Sequence, residues 1–94
     1  MKIQVKFFTA LREITNKKTE KIQLQERTTV KELLILLSKK HGNKFEEYIY
    51  TKKFEVNEFL SFLVNGQNIN NLKGFGTTLK DGDVIAILPP VGGG

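Results

Sequence analysis

The chain has 94 residues, enough for one domain with one modest core and too few to enclose a large cofactor as well. It holds no cysteine, which excludes disulfides, zinc–thiolate sites and a cysteine nucleophile. The formal charge of +5 is uneven: residues 1–53 carry 13 Lys/Arg against 6 Asp/Glu, and residues 54–94 carry 2 against 4.

Ile3, Val5 and Phe7 alternate with Lys2, Gln4 and Lys6, a period of two that predicts a strand with one buried face. Residues 19–25 read as a second strand with Ile22 and Leu24 inward. Asn16-Lys17-Lys18 supplies a turn between the two, so the first pair is expected to form a hairpin. Thr29-Val30-Lys31-Glu32 then fits a capping box, in which threonine oxygen and glutamate each satisfy a free backbone N–H. Val30, Leu33, Leu34 and Leu37 follow at helical spacing as one apolar stripe. Lys39-Lys40-His41-Gly42 closes that helix: cations suit its negative end, and glycine suits a left-handed position just beyond. The single histidine, His41, is assigned to helix-end electrostatics, with no side-chain partner in view.

Residues 44–50 suggest a second short helix, with Phe45, Tyr48 and Ile49 on its apolar side. Residues 51–58 read as a loop or ragged strand, and 59–64 as a strongly apolar strand. Asn65-Gly66 signals a hairpin whose return strand is 67–70. Residues 72–78 form a glycine-broken connection, and Leu79-Lys80-Asp81-Gly82-Asp83 a turn. Residues 84–88 form a last strand, which Pro89-Pro90 ends because neither proline can donate to a ladder. The order strand, strand, helix, strand, strand, strand implies an α+β fold: a mixed sheet of about five strands packed on one main helix. The whole of 1–94 is expected to be a single domain, with a flexible glycine tail over about 89–94.

No apolar stretch approaches the ~20 residues needed to cross a bilayer, and residues 1–6 lack the apolar run of a signal peptide. The expectation is a cytoplasmic protein without membrane partners. There is no P-loop, GxGxxG, nucleophile elbow or metal-spaced cluster. Glu46-Glu47 falls on a surface helix. Asp81 and Asp83 flank Gly82 in a turn, where aspartate commonly bonds backbone. No catalytic residue, metal site or bound cofactor of its own is therefore expected.

The chain closes Pro89-Pro90-Val91-Gly92-Gly93-Gly94. Prolines stiffen the exit from the last strand. Gly92 and Gly93 then form a thread without side chains that can enter a narrow channel and present the Gly94 carboxylate; a Cβ there would obstruct the approach. A carboxylate anion is a poor electrophile. A partner using ATP can convert it to an acyl-adenylate, which a sulfur nucleophile, an amine or a thiol can then attack.

Three segments carry a resemblance to the MoaD/ThiS family of ubiquitin-like β-grasp sulfur carriers. Phe7-Phe8-Thr9-Ala10-Leu11-Arg12-Glu13 is similar to the family's first strand and its exit, and Leu63-Val64-Asn65-Gly66 to its central hairpin. The block from Leu79-Lys80-Asp81-Gly82-Asp83 to the glycine tail is similar to its C-terminal end, and is the most specific of the three. The resemblance implies a β-grasp fold and a thiocarboxylate at Gly94. It further implies sulfur donation in molybdopterin (molybdenum cofactor) biosynthesis, with this chain as the small subunit beside the catalytic large subunit of molybdopterin synthase. A ubiquitin-activating-type adenylyltransferase with ATP would charge the tail. The chain departs from the family in having Gly92 where alanine or another small residue is frequent, and in extra length between His41 and Glu58. Archaeal small modifiers, which share fold and tail, define an alternative: attachment to lysines of target proteins, or sulfur donation to transfer RNA.

Alternation also picks out a docking surface. If Ile3, Val5, Phe7, Phe62, Val64, Ile85 and Ile87 point inward, then Phe8, Leu63, Ala86 and Leu88 form an exposed apolar patch beside the tail. It would receive the activating enzyme and the large subunit, unless the segment from His41 to Glu58 covers it. A basic RNA-binding module is a reading from another class, but the lysines are scattered and the aromatic signature of an RNA-recognition sheet is missing.

Overall fold

The computed structural model describes residues 1–52 and 55–90. Strand β1 (Lys2–Lys6) forms as its alternation requires, with Ile3 and Val5 buried and Lys2 and Lys6 exposed. It pairs antiparallel with β2 (Thr19–Gln23), Lys2 opposite Gln23 and Lys6 opposite Thr19. The connection is more than a turn. Ala10–Thr15 is a short helix, α1, pinned by buried Leu11 and by Thr15 Oγ1 donating to Leu11 O at 2.7 Å. Asn16 ends it in the left-handed conformation that asparagine tolerates (φ 60°, ψ 32°). With one fully buried leucine, α1 shows no periodic stripe in sequence.

The main helix, α2 (Val30–His41), begins at the expected capping box: Glu32 N donates to Thr29 Oγ1 at 3.2 Å, and Thr29 N donates to Glu32 Oε1 at 3.0 Å. Val30, Leu33, Leu34 and Leu37 are all at most 1% exposed. Each such burial contributes roughly 1.5–3 kcal/mol. Gly42 has positive φ (89°) but extended ψ (−165°), so it is not the left-handed cap expected; it ends α2 and opens α3 (Asn43–Ile49) in one residue. Phe45 and Ile49 are buried and Tyr48 packs at the edge of the core. The next segment contains two short antiparallel strands, β3 (Tyr50–Lys52) and β4 (Glu55–Val56).

Strand β5 spans Ser61–Val64 rather than 59–64: Phe59 lies in the preceding turn and is 68% exposed. Strand β6 is only Gln67–Asn68. Ile69–Asn71 turns instead into a 3-10 helix capped by Asn68, whose side chain accepts from Asn70 N. Strand β7 (Val84–Leu88) completes the sheet, in the order β2-β1-β7-β5-β6. It runs parallel to β1 and antiparallel to β5, so the mixed sheet forms around the last strand of the chain. This is the ubiquitin-like β-grasp arrangement, with α2 as its main helix.

One buried residue departs from the expected alternation. Glu20 shares the inward face of β2 with Ile22 and is 4% exposed. Its Oε1 lies 2.7 Å from Nε2 of His41, and its Oε2 meets the ammonium groups of Lys40 and, at 3.7 Å, Lys17. His41 does have a partner, contrary to the expectation. Its ring also stands against Phe7 and Phe45, at centroid distances of 6.0 and 5.6 Å. Burial pushes the Glu20 carboxyl up, but hydrogen bonds and charge from Lys40 and His41 outweigh it and hold the group below its ordinary 4.5. The sign follows: the contribution is whole above 4.5 and is lost as pH falls through the lower folded value. Glu20→Gln is expected to cost roughly 2 kcal/mol near neutrality. In urea titrations, the gap between wild type and variant should close below about pH 4.5. A gap that stays constant to pH 3 would show that the carboxylate charge is not what stabilises this junction.

Candidate functional site

Two loops fix the start of β7. Lys2 N donates to Asp81 Oδ1 at 2.7 Å, and Gly82 N donates to Lys2 O at 2.8 Å. Asp83 accepts from Lys80 N at 2.8 Å and from Asn65 Nδ2 at 2.9 Å, while Asn65 Oδ1 accepts from Val84 N at 2.9 Å. The Asn65-Gly66 turn and the Asp81-Gly82-Asp83 turn, far apart in sequence, thus lock together. The two aspartates are spent on backbone and amide donors. Glu46 and Glu47 are exposed on α3.

From that fixed end β7 runs to Leu88. Ile85 and Ile87 are at most 1% exposed, so Val84, Ala86 and Leu88 take the outer face of the sheet. Ala86 sits between Lys6 of β1 and Leu63 of β5, and Leu88 pairs with Ser61. Phe62 and Val64 are buried, which turns Leu63 outward. Phe8 follows buried Phe7 at the end of β1, and the Arg12 guanidinium lies over its ring at 5.2 Å. Arg12 Nε also donates to Phe7 O at 2.9 Å.

Register and alternation therefore bring Leu63, Ala86 and Leu88 together on the outer face, with Phe8 beyond the end of the neighbouring strand. All four are half-buried, not exposed as expected. Each has close neighbours on adjacent strands or, for Phe8, the Arg12 side chain. Val84 belongs to the same face and was missed, although alternation along β7 marks it. Of the segment from His41 to Glu58 that could have covered this face, α3 packs against α1 and α2, and β3 against α3. Gly92, Gly93 and Gly94 lie outside the described residues. Pro89 and Pro90 follow β7 directly.

The helix side holds a groove of about 480 Å³, walled by Leu34, Ile35, Tyr50, Val56 and Phe75 with Lys31 and Glu55 at its border. Ile35 and Leu36, off the buried stripe of α2, are 39% and 38% exposed. Among the described residues no group of three His, Asp or Glu is placed to hold a metal, and no helix is long and apolar enough to cross a membrane.

A family model described as the ThiS family matches residues 5–94. A candidate sulfur carrier protein of Archaeoglobus fulgidus is 38% identical over 69 residues, 73% of this chain and 77% of that protein. Small archaeal modifier protein 3 of Haloferax volcanii is 30% identical over 94 residues, the full length of both. The solved structure of a candidate molybdopterin converting factor subunit 1 from Pyrococcus furiosus superposes with a TM-score of 0.76 at 30% identity, covering 96% of this chain and 98% of that one.

Proposed function

The chain belongs to the ThiS family, and from that footing we propose that its working group is the Gly94 carboxylate, charged with sulfur by a partner enzyme. The observation that carries this reading is the family match running through residue 94, on a fold whose most central strand leads straight into Pro89-Pro90. A carboxylate oxygen of Gly94 attacks the α-phosphorus of ATP in an adenylyltransferase and expels pyrophosphate. A persulfide sulfur then displaces AMP to give an acyl disulfide, and a second thiol attacks the donor's sulfur, forming a disulfide with it and releasing the thiocarboxylate; hydrosulfide would give the thiocarboxylate and AMP directly. The partner supplies the catalytic groups and the ATP site; this chain supplies a docking face of Phe8, Leu63, Ala86 and Leu88, and a tail narrow enough to thread.

Delivery to a pterin precursor in the large subunit of molybdopterin synthase is the finer reading we favour, supported by the likeness to the P. furiosus subunit. Full-length similarity to a small archaeal modifier supports a second one, in which the activated tail is joined to lysines of target proteins. Stable capture of the large subunit distinguishes the first; Gly94-linked lysine peptides in a tryptic digest distinguish the second.

Incubation with the activating enzyme, ATP and a sulfur source is expected to raise the intact mass by about 16 Da, one oxygen exchanged for sulfur. Deleting Gly94 should abolish the gain. No gain, with an enzyme competent on another carrier, would sink the sulfur-carrier reading.

A further inference from the structure

The five strands of the main sheet carry one carboxylate, Glu20, and it points into the fold. Their three lysines, Lys2, Lys6 and Lys21, are all exposed on the opposite face. Lys21 stands opposite Gln4 and is therefore diagonal to both Lys2 and Lys6. Diagonal neighbours in an antiparallel pair lie roughly 7–8 Å apart, within about one Debye length. Asp81 sits at the Lys2 end, where it accepts from the Lys2 backbone. Toward the other end, Lys6, Lys21 and Arg12 form no ion pair among the described residues. Arg12 is already held, by its bond to Phe7 O and by the Phe8 ring, so recruiting it costs little side-chain entropy.

This basic border adjoins the apolar centre directly. Lys6 is paired with Ala86, and Ala86 with Leu63; beyond Leu63 comes Asn68, which is uncharged. The face is graded from basic through apolar to neutral polar. We propose that the activating adenylyltransferase docks on it with an apolar centre bordered on one side by carboxylates, which pair with Lys6, Arg12 and Lys21. This deepens the reading above and rests on it. Like charges without internal counterions repel one another, and acidic partner groups relieve that repulsion while steering encounter. The grading is also lopsided. Only one rotation of the partner matches both charge and apolar contact, and that rotation fixes where the tail points as it leaves Leu88. A phosphate backbone would satisfy the lysines but not the apolar centre, and Phe8 is already occupied by Arg12.

The test follows pyrophosphate release by the cognate adenylyltransferase with the full chain as substrate. Lys6→Glu/Arg12→Glu/Lys21→Glu is expected to raise KM about 30-fold with kcat within about twofold. Lys39→Glu/Lys44→Glu/Lys73→Glu makes the same change of net charge on exposed residues elsewhere and should change KM by less than about threefold. Lys6→Gln/Lys21→Gln leaves Arg12 in place, guards against misfolding in the triple variant, and should raise KM about fivefold. Equal effects of the two triple variants, or none, would overturn the proposal and leave the carrier reading intact. Failure of the wild-type chain to be adenylated would overturn both. Total transfer RNA serves as the probe of the other outcome: salt-sensitive binding lost in the face variant, with KM unchanged, would assign the basic border to nucleic acid instead.

Discussion

Leu63→Asp combined with Leu88→Asp is expected to weaken productive docking of the activating enzyme at least about a hundredfold, with little change in thermal unfolding. Half-buried side chains like these still lose substantial apolar surface when a partner covers them, worth roughly 1–2 kcal/mol each. An aspartate in the same place must be desolvated against an apolar partner surface, which costs at least as much again. Stability should change little because both positions face away from the core: the inward residues beside them, Phe62, Val64 and Ile87, keep every contact. Steady-state adenylation kinetics beside a melting curve decide the matter. Unchanged KM in a folded double variant would remove Leu63 and Leu88 from the interface. A collapsed melting temperature would instead show that the face is needed for folding.

Phe7→Ala should be the most destabilising single substitution in the chain, at about 3–5 kcal/mol, measurable by urea titration. Phe7 is fully buried and meets two rings edge-on, His41 at 6.0 Å and Phe45 at 6.2 Å. It therefore joins the first strand to the end of α2 and to α3. Truncation leaves a cavity and frees the His41 ring that Glu20 holds from the other side. Against a total stability of roughly 5–14 kcal/mol for a chain this size, such a loss leaves about 0–11 kcal/mol, so at the low end of that range about half of the molecules would be unfolded. A cost below about 1 kcal/mol would mean that the site collapses around the smaller side chain.

Much of this was legible in the chain itself. The strands β1 and β2 follow from alternation, because a sheet with one face on a helix imposes a period of two on its residues, whereas β5 and β7 read as short apolar runs bounded by turn signals. The capping box and leucine stripe of α2 follow for the same reason at helical period. What escaped was set by contacts between distant segments. Glu20 occupies an inward position of a strand, and a carboxylate there is tolerable only because Lys40 and His41 arrive from the end of α2. Its phase with Ile22 and Leu24 was the available signal. The helix α1 has too few buried residues to show a period, and β6 is cut short because Asn68 caps the 3-10 helix that follows it. At the candidate site, alternation alone chose Leu63, Ala86 and Leu88. The basic border needed the pairing order, since Lys21 and Leu63 become members of one face only after β7 is inserted between β1 and β5.

That insertion also orders events in the life of the chain. The sheet cannot close until its last strand has left the ribosome, because the β1–β2 and β5–β6 pairs are joined to one another only through β7. Its long-range pairings therefore come late in folding. Until they form, Ala86 and Leu88 are not arrayed beside Leu63, and an enzyme that recognises the assembled face has nothing to grip. The same five residues that close the core also complete the surface that would admit the tail to activation. A truncated or misfolded copy would then be refused before ATP is spent on it, a built-in proofreading of the carrier by its own topology.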